Sequence, residues 1–262
     1  GYTLSDRSIK VLLNLIEKAR NTEFGKKYKF QDISSPEAFK EMVPMHFYED
    51  IEADVERLRQ GEKNIFWPGE VKWFAKSSGT TNSKSKFLPV SEEAIEDCHF
   101  KGGKDLLSIY CNLYPETTVF DGMNLRMGGS TFLDNQELKS YYGDVSGIII
   151  ENLPFWVEIR STPNNKISLM TEWESKIAAM ATTSLREDVT SLAGVPSWML
   201  VLLQRVLDLS GKKTIAEVWP NLELYMHGGV NFEPYRKQYR DIIGKDINYL
   251  ETYNASEGFF GI

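Results

Sequence analysis

The sequence predicts an α/β architecture, layered β-sheets packed with helices. Segments of helical and of strand periodicity alternate along most of the chain. Its 262 residues, 42% of them hydrophobic, are enough to enclose a sizeable core. The 30 Lys and Arg against 37 Asp and Glu leave a net charge of −7, which argues against a nucleic-acid or anionic-membrane surface. Small molecules are the expected partners.

The first sixty residues read as mainly helical. Ile9, Leu12, Leu13 and Ile16 recur at helical spacing behind the capping candidates Ser5 and Asp6, predicting a helix over residues 6–20. Ser35 and Pro36 open a second helix, and Ile51, Val55 and Leu58 mark a third that stops at Gly61. Val71, Trp73 and Ala75 alternate with polar neighbours, so a strand should deliver the Ser/Thr/Gly-rich stretch that follows. Ser91 caps a helix expected to reach about residue 112, and residues 117–127 alternate again before Gly128 and Gly129. Further strands are expected at 145–151, 189–193, 222–226 and 247–252. Helices are expected at 172–185, at 196–209 with Gly211 as its stop, and at 233–243.

Several chemistries are disfavoured. The longest apolar runs fall far short of the roughly 20 residues that span a bilayer. The opening residues carry no basic and apolar leader, which predicts a cytoplasmic protein. Cys98 and Cys111 have no metal-site spacing and read as idle or buried thiols. His46, His99 and His227 form no i, i+4 pair, and the nucleophile elbow G-x-S-x-G does not occur. A histidine metal site and a serine hydrolase are both set aside, and His99 and His227 are expected to be structural.

Residues 77–86 carry six hydroxyls, one glycine and two lysines directly after a predicted strand. Glycine lets backbone N–H groups approach phosphate oxygens, hydroxyls add donors and lysine adds charge. Composition alone leaves a solvated loop as an alternative. At the other end, Glu251-Thr252-Tyr253-Asn254-Ala255-Ser256-Glu257-Gly258 follows a predicted strand, where a simple turn is the alternative reading.

Taken together, the order strand, Ser77-Ser78-Gly79-Thr80-Thr81, Lys86, then the Tyr253 to Gly258 segment resembles the adenylate-forming enzymes. In detail it is similar to bacterial members of the auxin-responsive promoter family of acyl-acid amido synthetases. The segments at 193–199, 218–222 and 227–235 resemble that family too, so the likeness runs through the chain. It implies that residues 1–262 form part of the large N-terminal adenylation domain, with ATP and Mg²⁺ as cofactors. The implied reaction activates a carboxylic acid as an acyl-adenylate and passes it to an amine, most simply an amino acid.

The resemblance also implies roles. Ser77, Ser78, Gly79, Thr80 and Thr81 would hold phosphates, and Lys86 would support the loop or the pyrophosphate. Glu257 would hold Mg²⁺, and Gly228, Gly229, Val230, Asn231, Thr252 and Tyr253 would face the nucleotide. Val195, Pro196, Trp198 and Met199 are candidates for the acyl pocket, with Arg126 for a carboxylate, though ordinary packing is an equal reading for these five. Ser83 departs from the family's usual glycine. The sequence given stops just past the second motif, where the family continues, so this chain alone is expected to turn over no acid. A thioester-forming ligase and a non-catalytic nucleotide- or carboxylate-binding module stay open as alternatives.

Overall fold

The computed structural model describes residues 5–77 and 85–262. They divide into two compact units, Gly1–Glu92 with Leu133–Tyr142, and Glu93–Phe132 with Gly143–Ile262.

The first unit begins with α1 (Asp6–Ala19), whose N-terminus is capped by the Ser5 hydroxyl accepting from Ser8 N–H. It continues through α2 (Glu23–Lys27), α3 (Pro36–Met42) and α4 (Tyr48–Arg59). Ile16, Ala19, Phe30 and Ile33 form the core under these helices. Gly61, at φ +90°, follows α4 in the left-handed conformation that the expected stop requires. A four-stranded sheet follows, with β1 (Trp73–Ser77), β2 (Lys86–Val90), β4 (Thr131–Asn135) and β5 (Ser140–Gly143) in the order β2-β1-β5-β4. Beneath it lie Leu58, Ile65, Val71 and Phe74. The Arg59 guanidinium grips Asp134 with two hydrogen bonds of 2.9 and 2.6 Å and lies 4.1 Å from the centre of the Phe87 ring.

The second unit opens with α5 (Glu92–Ala94), which runs through a π-helical stretch, Ile95–Phe100, into α6 (Lys101–Leu113). Its six-stranded sheet has the order β10-β9-β8-β7-β3-β6. The strands are β3 (Met123–Arg126), β6 (Ser161–Thr162), β7 (Val189–Ala193), β8 (Leu224–Gly228), β9 (Asn248–Ala255) and β10 (Gly258–Gly261). The first five are parallel, and β10 turns back antiparallel on β9. In register, Leu125, Leu192, Tyr225 and Tyr249 line one face. That face packs in one core with α10 (Trp173–Ser184), α11 (Pro196–Ser210), α12 (Ile215–Val218) and α13 (Arg236–Ile243). Leu224 packs on the opposite face against Tyr110 of α6 and Val119, with Met226 and Leu250 beside them. Period-2 alternation thus gives each face its own helical cover.

Residues 145–151 are a correction. They form α7 (Val145–Glu151), not a strand. The run of isoleucines suggested β-structure, but Gly147 packs against the Gly129 backbone, where a Cβ would sit 3.1 Å from its carbonyl oxygen. Ile148 and Ile150 are buried as well, so tertiary packing overrides the local preference. The stretch 117–127 narrows to β3, and the helix expected at 233–243 begins as a 3₁₀ turn at Glu233–Tyr235. The strand expected at 247–252 extends to Ala255, taking Tyr253 and Asn254 into the ladder. Two short helices, α8 (Phe155–Glu158) and α9 (Asn165–Ser168), complete the unit. Among the described residues, no helix is long and apolar enough to cross a membrane.

Candidate active site

The parallel strands of the second unit all deliver their carboxyl ends to one edge of the sheet, the place where open α/β sheets bind ligands. Four turns gather there. After β3 the chain runs through Met127, Gly128 and Gly129. After β7, Gly194 bends at φ +154°, and a Cβ there would lie 2.8 Å from the Met127 carbonyl oxygen. Val195 then caps α11, and Pro196 occupies its first turn.

Two tyrosines hold that turn. The Tyr225 hydroxyl donates to the Gly194 carbonyl at 2.9 Å, and the Tyr239 hydroxyl donates to the Pro196 carbonyl at 2.8 Å. Both phenols are buried, and burial pushes both above the ordinary tyrosine range. They stay protonated and serve as fixed donors.

After β8, Gly228 stands opposite Thr252, and a Cβ would meet the Thr252 carbonyl oxygen at 2.3 Å. Gly229 follows at φ +82°, 3.4 Å from Val195 in the same sense. Only glycine permits this close approach of the β8 turn to β9. The Thr252 hydroxyl donates to the His227 carbonyl at 3.2 Å, and the Asn231 side chain accepts from Glu233 N–H at 3.0 Å, closing the turn. Val230 is partly exposed beside it.

After β9 the chain reverses through Ser256 and Glu257, a two-residue turn with Ala255 paired to Gly258. Glu257 is exposed on the turn, and Tyr253, 65% exposed, lies 5.1 Å from the Phe260 ring. A carboxylate on a rigid hairpin offers oxygen ligands to a hard cation. Among the described residues, no group of three or more His, Cys, Asp and Glu side chains forms a ready-made metal site. A cation bound at Glu257 would therefore need oxygens from its ligand as well.

The hairpin is clamped from behind by the π-helical stretch. His99 Nδ1–H donates to Asn254 Oδ1 at 2.8 Å, and Phe259 N–H donates to Cys98 Sγ at 3.3 Å. Gly102 faces the Phe259 ring so closely that a Cβ would come within 2.4 Å. Burial keeps His99 below the ordinary histidine range, against the opposing pull of Asn254. Buried His227 is shifted the same way and stacks on Phe232 at 4.0 Å.

Arg126 ends β3 opposite Ala193 and is only 5% exposed. Its Nη2 donates to Asn165 Oδ1, while Nε and Nη1 have no hydrogen-bond partner among the described residues. Burial pushes this guanidinium down to about 10, with Glu158 opposing the shift. Trp198 lies on α11, its ring meeting Trp173 edge to face, and Met199 is fully buried in the sheet's core. Lys176, buried on α10, had not been singled out from the sequence, although it sits three residues after Trp173 on the helix's inward stripe.

The first motif belongs to the other unit. Ser77 ends β1 and pairs with Lys86, which begins β2. Lys86 Nζ lies 3.8 Å from Glu49 and 5.2 Å from the centre of the Tyr48 ring. Ser78, Gly79, Thr80 and Thr81 lie outside the described residues.

The GH3 family N-terminal domain matches residues 6–247. Indole-3-acetic acid-amido synthetase GH3.4 of Arabidopsis thaliana is 32% identical over 106 residues, 40% of this chain and 17% of that protein. Jasmonoyl-L-amino acid synthetase JAR6 of Nicotiana attenuata is 29% identical over 86 residues, 32% of this chain and 15% of that one. Among solved structures, AtGH3.15 acyl acid amido synthetase in complex with 2,4-DB superposes with a TM-score of 0.75 at 16% identity, over 97% of this chain and 53% of the other. A 2-hydroxyisobutyryl-CoA ligase reaches 0.50 at 12% identity, over 94% and 52%. These structural likenesses are of fold, and the chain spans about half the length of those structures. With the family match covering nearly all of it, and the fold agreeing, the chain belongs to the GH3 family as its N-terminal domain.

Proposed function

We propose that this chain is the adenylating part of an ATP-dependent acyl-acid amido synthetase. The observation that carries the reading is the convergence, at one sheet edge, of the Gly228-Gly229 turn, Thr252 and the hairpin bearing Glu257. In this reading Gly228, Gly229, Val230, Asn231, Thr252 and Tyr253 receive the nucleotide. Ser77, Ser78, Gly79, Thr80 and Thr81 hold phosphates, and Lys86 supports them. Glu257 holds Mg²⁺, which when bound neutralises phosphate charge. Val195, Pro196, Trp198, Met199 and Arg126 shape the acyl side.

The chemistry asks for no protein nucleophile. A substrate carboxylate oxygen forms a bond to the α-phosphorus of ATP as the bond to pyrophosphate breaks. The amine nitrogen then attacks the acyl carbon, AMP leaves, and the nitrogen loses a proton. The protein's contribution is orientation and charge placement. Relatives named for conjugating indole-3-acetic acid or a jasmonoyl group support an amide product made from a small acid, and the net charge of −7 supports a cytoplasmic setting over nucleic acid or anionic membrane.

The deciding experiment incubates the full-length natural protein with ATP, Mg²⁺ and a carboxylic-acid library and reads acyl-AMP by mass spectrometry. Amino acids and coenzyme A are then added separately. Acyl-AMP consumed by an amino acid is the expected result. Consumption by the thiol alone would assign a thioester ligase, and folded protein that forms no acyl-AMP would overturn the reading.

A further inference from the structure

Among the described residues β2 is the edge strand of the first unit's sheet, and Lys86 is its first residue. In an antiparallel ladder successive residues turn their backbone groups alternately toward the neighbouring strand and away from it. Phe87, opposite Lys76 of β1, gives both of its groups to a side chain on the outer side. The Tyr48 hydroxyl accepts from Phe87 N–H at 3.0 Å and donates to the Phe87 carbonyl at 3.4 Å. One phenol thus stands in for a further strand, at the residue next to Lys86.

The same helix holds Phe87 a second time. Tyr48 opens α4 and Arg59 closes it about three turns later, so both fall on one face of the helix. The Arg59 guanidinium lies 4.1 Å from the centre of the Phe87 ring. Backbone and ring of one residue are therefore gripped from the two ends of a single helix.

Lys86 itself is held differently. Its backbone pairs with Ser77, the residue that ends β1. Its ammonium lies 5.2 Å from the centre of the Tyr48 ring and 3.8 Å from the exposed Glu49 carboxylate, and among the described residues it makes no hydrogen bond. A cation–π contact and a solvent-facing ion pair orient a lysine without using any of its three N–H donors. The strand beneath this lysine is fixed firmly and its charged tip loosely. A group that must be aimed beforehand, and must still transfer to an anion, needs that combination.

We propose that Tyr48 is a positioning residue for Lys86, its hydroxyl fixing the start of β2 and its ring setting the ammonium for pyrophosphate. The inference rests on the reading of Lys86 as a support for the phosphates.

The test is calorimetric titration of the full-length natural protein with magnesium pyrophosphate, in a double-mutant cycle of Tyr48→Phe and Lys86→Met. Lys86→Met should weaken binding about 10- to 150-fold, the worth of a charge-assisted hydrogen bond. Tyr48→Phe should weaken it about 2- to 12-fold, because re-ordering the start of β2 costs about what a neutral hydrogen bond held it with. Tyr48→Phe keeps the ring and loses one oxygen at a partly exposed edge, so it stays folded, which its urea unfolding curve checks. In the Lys86→Met background the same change should alter affinity less than twofold, since the hydroxyl acts through the lysine. A hydroxyl that only stabilises the fold would weaken binding equally in both backgrounds. That result overturns the proposal, as does unchanged binding by Tyr48→Phe alone beside weakened binding by Lys86→Met. Unchanged binding by Lys86→Met overturns the reading of Lys86 and the inference with it, so the lysine variant tells the two failures apart.

Discussion

Gly102 and Gly103 are neighbours in α6 with opposite surroundings, and replacing each by alanine isolates the clamp on the β9–β10 hairpin. At Gly102 a Cβ would lie 2.4 Å from Phe259 Cγ, about 1.0 Å short of the 3.4 Å at which ordinary contact begins. At Gly103 nothing lies within 4 Å. Both substitutions gain the same helix propensity, roughly 1 kcal/mol, so that contribution cancels in the comparison. What remains is overpacking of the Phe259 ring, about 1–3 kcal/mol. Loss of the Phe259 N–H to Cys98 bond adds about 0.5–1.5 kcal/mol as the ring moves. Gly102→Ala should therefore be less stable than Gly103→Ala by about 1.5–4.5 kcal/mol, with Gly103→Ala equal to or above the parent. Urea unfolding with matched slopes measures the difference. Equal midpoints would show that the π-helical stretch does not hold the hairpin.

Three other outcomes are expected. Glu257→Gln in the full-length protein should reduce acyl-AMP formation at least tenfold while weakening ATP binding much less, since the amide keeps the shape and loses the charge that attracts the cation; unchanged turnover would leave Glu257 without that role. His99 and His227 are held neutral by burial, so the unfolded chain takes up protons that the folded one refuses. Stability should fall as pH drops below about 6.5, by up to ~1.4 kcal/mol per pH unit for each ring, and His99→Gln or His227→Gln should flatten that slope in urea titrations between pH 7.5 and 5.5. An unaltered slope would refute the assignment. In the first unit, Asp134→Asn removes the charge gripped by Arg59, whose side chain is 20% exposed, and should cost about 1.5–3 kcal/mol, read as a lower urea midpoint; Glu56→Gln, on the exposed partner of the same arginine, should cost under ~1 kcal/mol.

Helix starts were the most legible part of the chain because they are chemically local. The Ser5 and Ser35 hydroxyls accept from the backbone three residues on, and Pro36 and Pro196 stand in first turns. Strands β3, β7, β8 and β9 were legible as short apolar or alternating runs, whereas β6, the polar pair Ser161-Thr162, was not. The hairpin of β4 and β5 was not, because Asp134, Asn135, Glu137 and Lys139 carry no alternating pattern, and its pairing with β1 is made far along the chain. At the candidate site, Gly128, Gly129, Gly194, Gly228 and Gly229 stand at the carboxyl ends of β3, β7 and β8. Side-chain partnerships across the sequence left no local trace: His99 meets Asn254 over 155 positions. Lys176 left a faint one, a charge on the buried stripe of an otherwise apolar helix face.

The parallel sheet has at its β6 side a border that is a poor template for another strand. There β6 is two residues long and followed by Pro163, which has no N–H to offer. A five-stranded parallel array with open flanks would invite pairing with a second molecule. Here the backbone groups on the β6 side meet a segment too short to propagate the ladder, so that border offers a second strand little to pair with while the open rim that faces ligand stays accessible.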